Sequence, residues 1–124
     1  MIEAVKYFIE HNIDYIDKHD WREVFLNWYA YGKDYYFDEL IETFEEAGID
    51  VWKESYEARA RLLGDIAQMR FLHLITIYRI VTFEKISEEL SSLLGFEGQE
   101  LINILDKAAI SANLIRSDKG WVKR

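Results

Sequence analysis

Residues 90–124, LSSLLGFEGQELINILDKAAISANLIRSDKGWVKR, decide how this chain folds. Leu101, Ile104, Leu105 and Ala108 recur at spacings of three and four, which predicts a helix with one apolar face turned inward. Asn113 stands where a left-handed residue closes such a helix, a conformation that Asn tolerates best after Gly. LIRS, DKG and WVKR then read as strand, tight turn and strand, because Asp-Lys-Gly is turn chemistry between β-prone residues. Just upstream, Ile86, Leu90, Leu93 and Leu94 predict a preceding helix that Gly95 stops.

Working outward, VWKESYEARARLLGDIAQMRFLHLITIYRIV (51–81) is helical in composition. Gly64-Asp65 is its expected break, since Gly costs ~1 kcal/mol relative to Ala inside a helix. From Phe71 to Val81 the apolar residues lie almost all round, predicting a buried helix on which both halves of the chain pack. Toward the N-terminus, Ile2, Val5, Ile9, Ile13 and Ile16 predict an amphipathic helix over 2–17. Asp20 followed by Glu23 is a capping-box arrangement for a helix from Trp21 to Tyr31, with Gly32 after it. Asp34 is placed to cap a third helix running to Ala47 before Gly48, and Asp50 a fourth. Trp21, Phe25, Trp28, Phe37, Ile41 and Phe44 are the expected small core of this region.

The segments ISEELSSLLGF, ELINILDKAAISANLI and LIRSDKGWVKR resemble the second helix, third helix and wing of the winged-helix superfamily. That resemblance covers the C-terminal half only. It implies a scaffold that either binds DNA through its third helix and wing or docks proteins. The fold expectation is therefore mainly α: a helical N-terminal subdomain (1–65) packed on a winged-helix-like C-terminal subdomain (66–124) with a small β-hairpin. FIEHNIDYIDKHDWREVF and LIETFEEAGID are also loosely similar to uncharacterised phage or mobile-element proteins, a resemblance that implies no particular activity.

Charge argues about partners. The chain has 124 residues and a net charge of −8, and residues 1–62 carry all of that excess. An acidic chain is a poor general nucleic-acid binder, because phosphate contacts supply most non-specific affinity. The third helix opens on FEGQELINILDK, where Glu97 and Glu100 suit a helix N-terminus but repel phosphate. The residues a DNA reading would use are Gln99, Asn103 and Lys107 on that helix, with Arg116, Lys119, Lys123 and Arg124 in the wing. A wing alone touches backbone and reads no sequence.

The N-terminal half holds most of the aromatic residues. Tyr29, Tyr31, Tyr35 and Tyr36 cannot all be buried beside the other rings, and exposed Tyr with a charged rim favours protein recognition. With Glu42, Glu45 and Glu46 they form the expected protein interface. Another protein is the expected partner, and a homodimer is the form a DNA-binding reading would take. Carboxylates spaced like phosphates also allow a nucleic-acid-mimicking inhibitor.

Catalysis is not expected. His11, Asp14, Asp17, His19 and Asp20 are close in sequence, but the two histidines lack the i,i+4 pairing of a helical zinc site. YFDELIETFEE has carboxylates at helical spacing without the companion histidine of a di-metal site. His73 reads as a hydrogen-bonded core residue. No glycine-rich phosphate loop or nucleophile elbow occurs, and the absence of cysteine excludes disulfides and thiolate ligands. No cofactor is expected. No apolar run reaches the ~18 residues of a membrane span, so a cytoplasmic protein without membrane contact is the expectation.

Overall fold

The computed structural model describes residues 7–8, 10–11, 21–23, 25–26, 37–90 and 92–124, giving backbone alone at Phe37 and Asp38. The chain divides into two compact units, residues 1–55 and 56–124. It is mainly helical, with a small three-stranded antiparallel sheet.

In the first unit, helical backbone occurs at Tyr7, Phe8, Glu10, His11, Trp21–Glu23, Phe25 and Leu26. The helix expected over 2–17, its successor's ends, and the caps Asp20 and Asp34 lie largely outside the described residues. Helix α1, Phe37–Glu46, turns Leu40, Ile41 and Phe44 inward at helical spacing. Phe44 meets Phe25 edge-on at 5.2 Å between centroids, with Trp21 at 6.5 Å from it. Phe25 and Phe44 are buried as expected, and Trp21 is half-buried. The expected core side chains Trp28 and Phe37 lie outside the described set. Gly48, at φ +96, ends the helix in the left-handed conformation that glycine adopts without penalty. Asp50 does cap, accepting a hydrogen bond from the Trp52 N–H at 3.0 Å, but it opens only a 3-10 turn, Val51–Lys53.

The second unit begins with helix α2, Tyr56–Leu74. Leu62, Leu63, Ile66, Ala67, Arg70, Phe71 and Leu74 form one buried stripe along it. The helix is continuous through Gly64-Asp65, so the expected break does not occur, and the expected boundary at 65/66 falls inside it. Burial on both sides of Gly64 holds the helix together, because tertiary packing outweighs a single unfavourable propensity. A Cβ added at Gly64 would meet only Ile104 Cγ2, at 3.9 Å. Gly64→Ala is therefore expected to stabilise the protein by about 0.5–1 kcal/mol, seen as a raised thermal midpoint.

The predicted buried helix over 71–81 does not extend that far. α2 stops at Leu74, and Leu72 and Ile77 are exposed. Ile75, Thr76, Ile77, Ile80 and Val81 are β-branched, which disfavours helix, and Ile80–Val81 instead forms strand β1. His73, expected in the core, is exposed near the end of α2.

Thr82 caps helix α3, Phe83–Glu89, its hydroxyl accepting from the Lys85 N–H at 3.1 Å. The helix ends before Leu93 and Leu94, which were expected to share its apolar face. Ser92 Oγ accepts from the Leu94 N–H at 3.2 Å, a local bond that competes with the helix, and Leu94 is buried at φ +51. Arg59 fastens this turn to α2 by donating to the Leu94 carbonyl at 2.8 Å, and its guanidinium lies over the Phe96 ring. Helix α4, Gly98–Ser111, packs mainly on α2. Leu101, Leu105, Ala108 and Ala109 point inward, while Ile104 is only half-buried. Asn113 has φ +65, the left-handed closure its sequence position predicts.

Strands β2 (Leu114–Ser117) and β3 (Gly120–Lys123) form the predicted hairpin across Asp118-Lys119. β3 lies between β1 and β2 in the sheet. Trp121, facing α2, meets Phe71 edge-on at 5.0 Å and is 2 % exposed.

Candidate functional site

Three surfaces were legible as candidates. The first is the outer side of α1. Its buried face fixes the rotation of the helix, so Glu39, Glu42, Glu45 and Glu46 are exposed together. The Thr43 hydroxyl, on the inner side, donates to the Glu39 carbonyl at 2.7 Å. The last turn has no basic residue. Glu45 and Glu46 thus stand at the negative end of the helix dipole, where carboxylates are unfavourable by roughly 0.3–1 kcal/mol each. Tyr29, Tyr31, Tyr35 and Tyr36 lie outside the described residues.

The second surface is the outer face of α4 with the hairpin. Gln99 and Asn103 lie one turn apart, and the Gln99 amide donates to Asn103 Oδ1 at 2.9 Å. Further along, Ile110 is 60 % exposed. Arg116 donates to Asp106 Oδ2 at 3.0 Å, and Trp121 Nε1 donates to the other oxygen, Oδ1, at 2.9 Å. One carboxylate on α4 therefore holds both strands of the hairpin, and Arg116 is engaged within the fold. Lys119 in the turn, Lys123 and Arg124 are exposed. Lys107 borders a groove against α2. Of the seven nucleic-acid candidates, Gln99 and Asn103 bond to each other, Arg116 bonds to Asp106, Lys107 borders the groove, and Lys119, Lys123 and Arg124 are exposed at the hairpin.

The third surface is the side of the sheet opposite Trp121. Ile80 pairs with Val122, and Val122 with Ile115, so three aliphatic side chains line up across the strands. Ile115 is exposed and the other two are half-buried. The alternation of Leu114 and Ile115 hints at an outward Ile115. Nothing in the sequence announces that Ile80 joins it, because register is a property of pairing.

Beside this sheet, Lys85 lies 5.1 Å from the Tyr78 ring centroid. Its ammonium is held above the ordinary lysine value first by a hydrogen bond and charge interaction with Tyr78, then by Glu88 and Glu89. Among the described residues, no group of three or more His, Cys, Asp or Glu could hold a metal ion. No described helix is long and apolar enough to cross a membrane. Comparison of the chain with protein-family models, with curated proteins and with solved structures finds no match in any of the three.

Proposed function

We propose that the chain is a non-catalytic protein-interaction or regulatory module of phage-related type that binds a partner protein through the acidic face of its first unit. The observation that carries this reading is the row of exposed carboxylates on α1, maintained against the helix dipole and without a cation in the last turn. A carboxylate at the negative end of a helix, as Glu45 is, breaks a local rule, and such breaks are expected at functional positions. The fitting partner presents a basic surface, and charge complementarity of that kind sets encounter rate and specificity.

A second reading is a winged-helix DNA-binding regulator. It is supported by the order of α2, β1, α3, α4, β2 and β3, and by the exposed cations at the hairpin. The α4 surface speaks against it, since Glu97, Glu100 and exposed Ile110 offer a phosphate backbone little. An inhibitor that mimics nucleic acid would use the same α1 carboxylates, and differs only in what its partner normally binds.

Fluorescence anisotropy against a random-sequence duplex at about 50 mM salt separates the first two readings, because low salt exaggerates phosphate contacts. The expected result is no binding up to about 100 μM protein, weaker than ordinary non-specific affinity. In parallel, a partner captured from cell extract by the wild-type protein should be lost with Glu42→Lys/Glu45→Lys. That pair leaves the buried side of α1 intact and relieves the dipole conflict at Glu45. Tight DNA binding abolished by Lys119→Glu/Lys123→Glu would instead establish the regulator.

A further inference from the structure

We infer that the turn between α3 and α4 is a two-position device: Arg59 latches it in the observed form, and release of that latch lengthens α3 through Leu94. Every residue involved belongs to the second unit, so the inference stands apart from the protein-partner reading.

The first observation is a helix that stops before its own pattern does. Ile86, Leu90, Leu93 and Leu94 recur at the spacing of one helical face, and Gly95 follows where a closing glycine belongs. Yet α3 ends at Glu89, and Leu90 turns to φ −92, ψ 106. The Leu94 N–H bonds to Ser92 Oγ at 3.2 Å in place of a carbonyl one turn back. Leu94 itself sits at φ +51, where the Cβ of a bulky residue crowds its own backbone. Such strain persists only where the surroundings impose it, and it concentrates in switch regions.

Arg59 is what imposes it. Its guanidinium donates to the Leu94 carbonyl at 2.8 Å and lies 5.4 Å from the Phe96 ring centroid. Phe96 in turn meets Tyr56 edge-on at 5.2 Å. A Cβ added at Gly95 would lie 3.1 Å from Arg59 Nη1, so the glycine leaves room for the guanidinium. A hydrogen bond from a charged donor is roughly twice as strong as a neutral one.

Burial does not choose between the two positions. Leu94 is buried as it stands, and continued helix would place it on the face of the buried Ile86 and Leu90. Helix gains further backbone hydrogen bonds and relieves Leu94, while the observed turn gains the Arg59 bond and its ring contacts. A helix advances about 1.5 Å per residue against about 3.3 Å for extended chain. Lengthening α3 therefore draws Phe96 away from Arg59 and Tyr56, and the latch opens as a unit.

The test is the NMR Cα chemical shifts of Ser92, Leu93 and Leu94 in the full chain, for wild type and Arg59→Met. Met keeps a long stem and good helix preference in α2 but donates no hydrogen bond. The three shifts are expected to move to helical values while the amides of α4 and the hairpin stay dispersed. Ser92→Ala and Ser92→Gly both remove the hydroxyl that accepts from Leu94. Added to Arg59→Met, Ala should give a helix-to-turn ratio about 4–5-fold higher than Gly, their difference in helix preference. A merely structural tie would leave the two indistinguishable. The inference is overturned by turn shifts unchanged in Arg59→Met, by coil values at these residues, by equal Ala and Gly ratios, or by loss of the fold in Arg59→Met.

Discussion

Trp121→Ala is expected to destabilise the second unit by about 3–5 kcal/mol, the range for removing a buried Trp or Phe. Urea unfolding of the full chain followed by circular dichroism measures it. The indole is enclosed against Phe71 and gives its N–H to Asp106, so the substitution opens a cavity and removes a hydrogen bond together. Whole-domain stability is typically only about 5–15 kcal/mol, so such a loss takes a large share of it. Trp121→Phe separates the two contributions. It keeps a ring against Phe71 and removes only the donor, leaving Asp106 with Arg116, and should cost about 1–2 kcal/mol. A loss from Trp121→Phe as large as that from Trp121→Ala would mean that the Asp106 bond, not the ring packing, holds the hairpin.

Gly120→Ala is the second large effect, expected at about 3 kcal/mol or more. Gly120 has φ +155, a conformation that side chains rarely adopt. An added Cβ would also lie 2.9 Å from both Thr82 Cα and the Val81 carbonyl carbon, and closer still to the Val81 oxygen. All three are backbone atoms of β1 and the cap of α3, so no side chain can swing aside. Relief requires β1 and β3 to separate, which breaks the register of Val81 with Trp121. The measurable consequence is a lowered denaturation midpoint with loss of near-ultraviolet signal from Trp121. Gly120→Ala with wild-type stability would show that the two strands have slack that their pairing does not suggest. Gly64→Ala makes a useful contrast, since the same change there meets open space and should stabilise.

The reading of α4 and the hairpin from sequence held well because its signals are local. Asn113 at φ +65 and the Asp118-Lys119 turn each depend on residues within a few positions of one another. The reading of 71–81 went astray for a related reason. An apolar run buried as helix and one that changes from helix to strand look alike by periodicity, and only β-branching told them apart. The helix α3 is legible in the sequence, but its early end is not, because Ser92 offers the backbone a competing hydrogen bond. For the candidate sites, the acidic face of α1 was visible in the spacing of Glu42, Glu45 and Glu46. The engagement of Arg116 was not.

What the sequence alone determined is the set of local choices: where glycine and asparagine permit left-handed closure, that Asp50 is a cap, and which faces of α1 and α4 are apolar. These follow from steric limits and hydrogen bonds between near neighbours, and each is encoded within a few residues. The tertiary structure decided which of those pieces meet. Arg59 reaches the Leu94 carbonyl across 35 residues, Asp106 receives both Arg116 and Trp121, Ile80 aligns with Ile115 through Val122, and Arg61 and Lys107 border one groove. Burial of apolar surface is non-directional, so periodicity marks a face for burial without naming the surface that covers it. Only the packing of α2, α4 and the sheet around one core makes that assignment.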